Sequence, residues 1–597
     1  VTLAQSVATR NIEAAGFFRG LRPRLGALPI LALFALLIGL PLATVLLQAV
    51  FPSLFALSGT TFSFSLEPLL RTIGSARTVQ SVINSLELAC GVAVTTTALG
   101  AGFAVLVGRC ELPLRQVLSA LPWLVFLTPS YLKALAWVLL MSPGGYLPQL
   151  GLLPPGLGQG FFGLGGLVFV HTLSLFPVPA FIVGAALAGL GGEFEEAARI
   201  AGAGPLKIWL RINAPLLLPA IALSLMAVFA EVLSDFGLAS TIARMSSFGV
   251  LTYGIYVAAS DYPVDFPMAG AQALLLLALV FLAVVADRLL RRRSGPRLIS
   301  GRSKPAARYN LGLWQWPAFA FAALVAFLSL LLPLAAIVIR ALSRTLGQGL
   351  AISNFTLDNV VAALSLGTDA SDAIIRSLLF ALLSACIASV VSLVLSSQLD
   401  RSSATTRSTV LGLSLGAVAI PGIVLGFGYI LVWNRIPGFR DWLFPHYGSG
   451  SLLVTGYVAA ALPYCLIVVM TAIGQLAPSL SDAARLHGAG ASRRLVAVTL
   501  PLVALSVLTA FLLTLVRTVF ELPISQMLIP QDGPPAPTII VRLFSHDRDG
   551  LASAIALVAM LATGAVGAIV WAVFRRFTVR RGSASAASTG SPVEAAA

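Results

Sequence analysis

Glu196-Ala197-Ala198, followed after three residues by Gly202 and then by Ile212 and Pro215, is written twice in this chain. The second copy is Asp482-Ala483-Ala484, Gly488, Val498 and Pro501, and every matched position lies 286 residues beyond its partner. A short polar signature repeated at one offset inside an apolar chain marks a duplicated unit, and such a repeat decides the fold before any single element does. Glu195–Ala201 and Ser481–His487 read as short helices whose successive alanines leave a low-relief face. Gly202 and Gly488 permit the reversal that ends each one. Second short helices follow at Leu206–Ile212 and Leu495–Val498. Pro215 and Pro501 then open long apolar helices, a position where a missing N–H costs nothing. Each copy is thus a compact elbow joined to a long helix.

The rest of the chain supports a membrane setting. Its 597 residues are 58% hydrophobic and only 10% charged, against about a quarter charged in soluble domains, and the mean hydropathy is +0.94. Stretches near 20 apolar residues meet the length needed to cross a bilayer. Twelve are expected: Leu25–Val50, Leu86–Val107, Leu118–Met141, Leu164–Leu187, Pro215–Val232 and Met268–Ala286 in the first half. Trp316–Ile339, Leu378–Leu395, Val410–Trp433, Leu452–Ile473, Leu502–Val519 and Leu551–Phe574 make the second. The expected fold is an all-α integral membrane protein of two parallel six-helix repeats. Its boundaries are a segment 1–24, a first repeat 25–287, a basic linker 288–312, a second repeat 313–575 and a tail 576–597.

A net charge of +15 raises nucleic acid as a partner, but its distribution argues otherwise. Basic residues collect at alternate connections, from Arg19, Arg22 and Arg24 through Arg109, Arg199, Arg288–Arg293, Arg401 and Arg485 to Arg575–Arg581. That is the positive-inside pattern; it predicts both termini and both elbows in the cytoplasm. No polar domain is available for nucleic acid. The first apolar run is too long for a signal-peptide core and reads as a retained span. Cys90, Cys110, Cys386 and Cys465 have no metal-type spacing and read as buried thiols. Trp314, Trp316, Trp433, Trp442 and Trp571 flank spans, as an interfacial belt requires.

The repeat reaches beyond the elbows. Phe64-Ser65-Leu66-Glu67 recurs as Phe355-Thr356-Leu357-Asp358, and Arg109, Arg115 and Pro129 recur as Arg401, Arg407 and Pro421. Each repeat has an even number of spans, so the halves share one orientation about a pseudo-two-fold axis, with a path between them. The first-half connection Ser142–Gly163 is longer than its counterpart, uncharged and rich in Gly and Pro, which suits a packed or re-entrant segment.

With these residues in view, the doubled signature resembles the coupling loop (the EAA motif) of bacterial ABC importer permeases, in the form of two subunits fused end to end. The resemblance implies the type I importer permease fold in the bacterial inner membrane. It also implies two copies of an ABC ATPase, one per elbow, and a periplasmic substrate-binding protein. ATP and Mg would be bound by the partner subunits, with no cofactor or metal on this chain. The sequence has no Gly-x-x-x-x-Gly-Lys-[Ser/Thr] phosphate loop and no Ser-His-Asp arrangement, so a catalytic role is not expected. The Phe355–Asn359 run and the segment Pro129–Trp137 resemble ferric-iron permeases and the related thiamine permeases. Ferric iron is the first expectation; thiamine, 2-aminoethylphosphonate and polyamine remain open. Two parallel six-span repeats also describe an ion-coupled secondary transporter, which would need a mid-membrane carboxylate relay.

Ionisable groups inside spans are functional candidates by default. Glu231 and Asp235 end the fifth span; Arg517 and Glu521 stand at the equivalent places in the eleventh. Spaced i, i+4, each pair is expected on one helical face. Two arrangements stay open: an acidic periplasmic gate containing Arg517, or an Arg517–Glu521 pair within one helix. Lys133 either snorkels or pairs with a carboxylate elsewhere, and His171 reads as a packing group.

Overall fold

The structure is a computed structural model and describes residues 28–53, 63–154, 157–243, 248–294, 308–399, 402–435, 449–531 and 533–588. Elements among these residues are helical, apart from two isolated bridges. Nine helices are long and apolar enough to cross a bilayer, and twelve spans result when three bent pairs are each counted once. All twelve expected spans have a counterpart.

The bends correct the expectation of straight spans. The third breaks by 96° between Arg115–Leu127 and Ser130–Gln149, and the ninth by 95° between Ala404–Val418 and Gly422–Trp433. Pro129 and Pro421 stand at these breaks, in matching positions of the two repeats. A residue before proline is driven out of the helical region; Thr128 is accordingly extended, at φ −79° and ψ 125°. The fourth span bends by 43° at Pro177, whereas Pro463 lies within the continuous Gly450–Gly474 helix.

Four other prolines do not break their helices. Pro41, Pro333, Pro215 and Pro501 each follow a five-residue π-helical turn: Ala35–Gly39, Phe327–Leu331, Trp209–Asn213 and Leu495–Thr499. The wider turn shifts the hydrogen-bond register around the missing amide, so the helix continues. Pro215 and Pro501 therefore do not begin new helices as expected. Leu206–Ser234 and Ala491–Val519 run unbroken from the second arm of each elbow through the membrane.

The two halves interlock by exchange. Leu40–Val50, closing the first span, packs on Gly422–Arg435 of the second half; Leu332–Ala341 packs reciprocally on Ser130–Met141 of the first. Pro41 deprives the Leu37 carbonyl of its usual helical donor, and the Tyr429 hydroxyl from the other half donates to it at 2.8 Å. Contact is close enough that a Cβ on Gly428 would come within 2.4 Å of the Pro41 carbonyl oxygen. The long first-half connection also packs: Tyr146 is buried, and Gln149 donates to the Leu346 carbonyl at 2.8 Å. The largest buried apolar cluster accordingly runs through both halves.

Two smaller expectations are corrected. Cys110 and Cys465 are buried, but Cys90 and Cys386 are exposed on their spans, where hydrocarbon serves as well as protein. Trp433 is buried and stacked on Tyr429 at 5.1 Å, so it belongs to the core and not to an interfacial belt. Trp314, Trp316 and Trp571 are exposed; Trp442 lies outside the described residues, as do 1–27 and most of the linker.

Tyr429→Phe is expected to remove this bond from a part-buried carbonyl and cost about 0.5–1.5 kcal/mol, read as a lower unfolding midpoint of the detergent-solubilised protein. Gly428→Leu is expected to separate the halves outright, seen as loss of the monodisperse species in size-exclusion chromatography.

Candidate coupling elbows and translocation path

The elbow helices are Glu193–Ile200 and Pro478–Leu486. Gly202 and Gly488 both have φ +75°, in the left-handed region. In the first copy the Ala203 N–H donates to the Ala198 carbonyl at 2.9 Å, and the Gly202 N–H to Arg199 at 2.9 Å; in the second, Ala489 donates to Ala484 at 3.0 Å and Gly488 to Arg485 at 2.8 Å. These pairs of bonds are the Schellman cap, which uses carbonyls that a helix end leaves over. Nothing lies within 4 Å of where a Cβ would stand on either glycine. The glycines are thus required by backbone conformation and not by space.

Glu196, Ala197, Asp482 and Ala483 are exposed, with Ala198 and Ala484 half-buried. Around them the two copies expose apolar side chains at matching positions: Phe194 and Leu480, Ile200 and Leu486, Leu210 and Val496. Ile200 and Leu486 are 88% and 89% exposed. A duplicated apolar patch on an otherwise polar elbow marks an interaction surface.

Beneath the first elbow is a feature the sequence reading missed. Glu195 is buried and pairs with buried Arg109 at 3.4 Å; Asn213 donates to it at 3.0 Å and the Tyr309 hydroxyl at 2.9 Å, with Arg199 at 3.8 Å. Tyr309 belongs to the end of the linker and is held by backbone bonds, its N–H to Arg109 at 2.8 Å and its carbonyl from Glu111 at 3.1 Å. Burial first, and then the Glu195 carboxylate, push the Tyr309 phenol above its ordinary range, so it remains a donor. The second copy has Ser481 for Glu195 and Thr499 for Asn213; there Arg485 pairs with exposed Asp482 at 3.7 Å. The available signal was that the acids beside the first motif, Glu193 and Glu195, have Ser479 and Ser481 in the second copy.

At the far ends of the elbow-linked helices lies a cavity of about 310 Å³ between the halves. Glu231, Asp235, Arg517 and Glu521 all line it, along with Lys133, His171, Tyr457 and Tyr464. The four candidates are therefore brought together, but not as i, i+4 pairs on one face. The helices end at Ser234 and Val519, leaving Asp235 and Glu521 beyond them as caps of the next short helices. Asp235 accepts from the Leu238 and Ala239 amides at 2.9 and 3.2 Å; Glu521 accepts from Ile524 at 3.0 Å and Ser525 at 3.1 Å. Anions are stabilised at such N-termini.

Glu231 and Arg517 occupy the same position in the two repeats and are exposed toward the cavity. Among the described residues no carboxylate lies within ion-pair distance of Arg517; its guanidinium stands over the Tyr464 ring, 4.8 Å from the centroid, and 5.8 Å from that of Phe126. The Arg517–Glu521 pair within one helix is not formed. Lys133 is buried and donates to the carbonyls of Val125 at 3.0 Å and Ser174 at 3.5 Å. Both lie in the last turns of helices that stop inside the protein, so the ammonium sits at two negative dipole ends. His171 is held by the Leu167 carbonyl at 2.9 Å and lies 3.6 Å from Asp235. Among the described residues, no group of three or more His, Cys, Asp or Glu side chains is placed to hold a metal.

Two six-span repeats around a shared cavity, each with a helix running to an exposed elbow, have the build of a membrane permease. This chain belongs to the family of binding-protein-dependent transport system inner membrane components, whose model matches residues 93–296 and again 401–580. It is 24% identical over 540 residues to the Ferric transport system permease protein FbpB of Actinobacillus pleuropneumoniae, covering 86% of this chain and 74% of that protein. A Putative ferric transport system permease protein FbpB 1 of Haemophilus influenzae is 24% identical over 483 residues, 79% of this chain and 73% of that one. The Molybdenum transport system permease protein ModB of Escherichia coli is 30% identical over 159 residues, 26% of this chain and 69% of that protein. Membership makes this a multi-pass inner membrane permease of the ABC type, a class that works with ATPase and binding-protein partners, and it sets aside the ion-coupled secondary transporter.

Tyr309→Phe removes a hydrogen bond to a buried carboxylate worth about 1.5–3 kcal/mol. It is expected to raise amide hydrogen exchange in Glu193–Ile200 while leaving Pro478–Leu486 unchanged. Gly202→Ala adds about 1–2 kcal/mol of left-handed strain without a clash and should loosen the first elbow alone in the same measurement.

Proposed function

We propose that this chain is the membrane subunit of a ferric-iron importer working by alternating access. Two identical ATPase subunits dock on the elbows around Glu196 and Asp482, and the binding protein delivers its cargo from the periplasmic side. One observation carries the coupling: a single unbroken helix in each half joins an exposed elbow to the wall of the central cavity. Leu206–Ser234 is 29 residues, a lever of about 44 Å. Closure of the ATPases on bound ATP and Mg moves the elbows, and the levers carry that displacement to Glu231 and Arg517.

Iron is favoured by extent of similarity. The ferric relatives match through both halves, while the molybdenum relative matches 26% of the chain and the Sulfate transport system permease protein CysT of Salmonella typhimurium 32%. Three carboxylates on the cavity wall suit a cation in transit, and the capped state of Asp235 and Glu521 leaves Glu231 as the acid that meets it. Arg517, at the equivalent place across the cavity, is the partner for Glu231 when the levers draw together and the path is shut. Both termini lie in the cytoplasm in this arrangement.

The test is ATP-dependent uptake of radiolabelled iron into proteoliposomes holding the permease, its ATPase and its binding protein. Glu231→Gln and Arg517→Gln are each expected to cut uptake at least tenfold while ATP hydrolysis continues, and the exchange Glu231→Arg with Arg517→Glu should recover part of it. Uptake of thiamine, 2-aminoethylphosphonate or a polyamine in place of iron would overturn the cargo; uptake without any ATPase would overturn the class.

A further inference from the structure

Between the first and second spans of each half lies a short helix that the transport cycle does not use: Glu67–Gly74 and Asp358–Leu364. Both are built alike. The Glu67 amide donates to the Ser65 hydroxyl at 3.1 Å and the Asp358 amide to the Thr356 hydroxyl at 3.2 Å, so the two chains enter their helices through the same turn. Pro68 and Thr72 are buried against the protein in the first; Asn359 and Ala363 take those places in the second. An acid opens each helix, and the exposed flank beyond it is Glu67 and Arg71 in one, Asp358 and Ala362 in the other.

The remaining face is apolar and uncovered. Leu66, Leu70 and Ile73 are spaced i, i+4, i+7, as are Leu357, Val361 and Leu364, and all six are between 48% and 68% exposed. Three directions around each helix are thus assigned: one to protein, one to the flank that the acid opens and one to leucine-like side chains. A free periplasmic helix has no reason to keep that third face in duplicate.

We propose that these two helices are in-plane anchors whose apolar stripes are buried in the headgroup–acyl boundary of the bilayer, on opposite sides of the pseudo-two-fold axis. Two observations identify lipid as the occupant. The first helix packs where a span begins: Pro68 and Thr72 share a groove with Pro267 and Met268, and Arg71 lies 3.8 Å from Asp265. Phe266 opens the apolar run of that span, so the helix is level with the edge of the hydrocarbon. Each helix also leads within five residues into the second span of its half, whose opening turns expose further apolar side chains, Val79 and Ile83 in one half and Ile375 and Leu379 in the other. An amphipathic helix at that depth inserts its apolar face about 5–10 Å. Naming the outer leaflet rests on the orientation proposed above; the embedding does not.

Spin labels on single cysteines at positions 66, 70 and 73, and at 67 and 71 as the polar control, test this in the full permease in phosphatidylethanolamine–phosphatidylglycerol nanodiscs with the native cysteines changed to serine. Expected is oxygen-favoured relaxation at 66, 70 and 73, nickel-chelate-favoured relaxation at 67 and 71, and the same split at 357, 361 and 364 against 358 and 362. Nickel-favoured relaxation at every position overturns the proposal. So does a stripe whose labels become immobile only when the binding protein is added, since that makes it a protein-docking face. Sidedness is read separately: an impermeant reductant added to spheroplasts should reach 67 and 71. If it does not, the orientation falls while the embedding stands.

Discussion

A backbone carbonyl that loses its amide partner inside a membrane has no water to turn to, and this protein is arranged around that constraint. Its prolines create the shortage. At Pro41, Pro333, Pro215 and Pro501 a π turn absorbs it and the helix goes on; at Pro129 and Pro421 the helix stops. Where it stops or bulges, side chains complete the bonding: Tyr429 for Leu37 across the two halves, Lys133 for Val125 and Ser174 at two helix ends, Asp235 and Glu521 for the amides that open the next helices. Lys133, Asp235 and Glu521 line the central cavity where a helix is interrupted beside them, whereas Glu231, Arg517, Tyr457 and Tyr464 reach it from unbroken helices. The cavity is the place where the interruptions of the two halves meet.

Duplication separates what is mechanical from what is particular. The elbows, their left-handed glycines, the π turns and the 96° and 95° bends occur in both halves. In the alternating access proposed above those features transmit motion, and a pseudo-two-fold machine needs them twice. The cavity wall is different. Glu231 has Arg517 as its counterpart, His171 corresponds to Tyr457, and Lys133 to Leu425. A single cargo moving along the axis meets one copy of each, so selection there has no reason to keep the halves alike. Glu195 extends the asymmetry to the elbows: among the described residues, the first is tied to the end of the linker through Tyr309 and the second has Ser481 at the equivalent place.

The sequence was most legible where a pattern repeats. Twelve apolar runs, the positive connections and the doubled Glu196/Asp482 signature carry the fold, and the matched glycines carry the elbow turns. Hydropathy was blind to the bends, because two residues at Thr128–Pro129 change a helix axis by 96° without interrupting an apolar run. Pro215 and Pro501 were misread for a related reason: a proline at a helix start and one behind a π turn look the same in one dimension. Asp235 and Glu521 fit an i, i+4 spacing, yet the helix had ended before them. Trp433 followed the rule for interfacial tryptophans but lies in the seam between halves. The Glu195 cluster joins residues from Arg109 to Tyr309, and no local pattern announces a contact over that separation.

The bond between Tyr429 and Leu37 has a meaning in time as well as in space. The two residues are 392 positions apart, so the first span emerges and enters the bilayer long before its partner has been made. At about 5–20 residues per second, the wait is on the order of 20–80 seconds. Throughout it, the Leu37 carbonyl is without its final donor and the face around Pro41 without its final neighbour. The first half is therefore born incomplete. Fusing the halves into one chain ensures that the missing partner arrives on the same ribosome, at the same spot in the membrane, and never has to be found by diffusion.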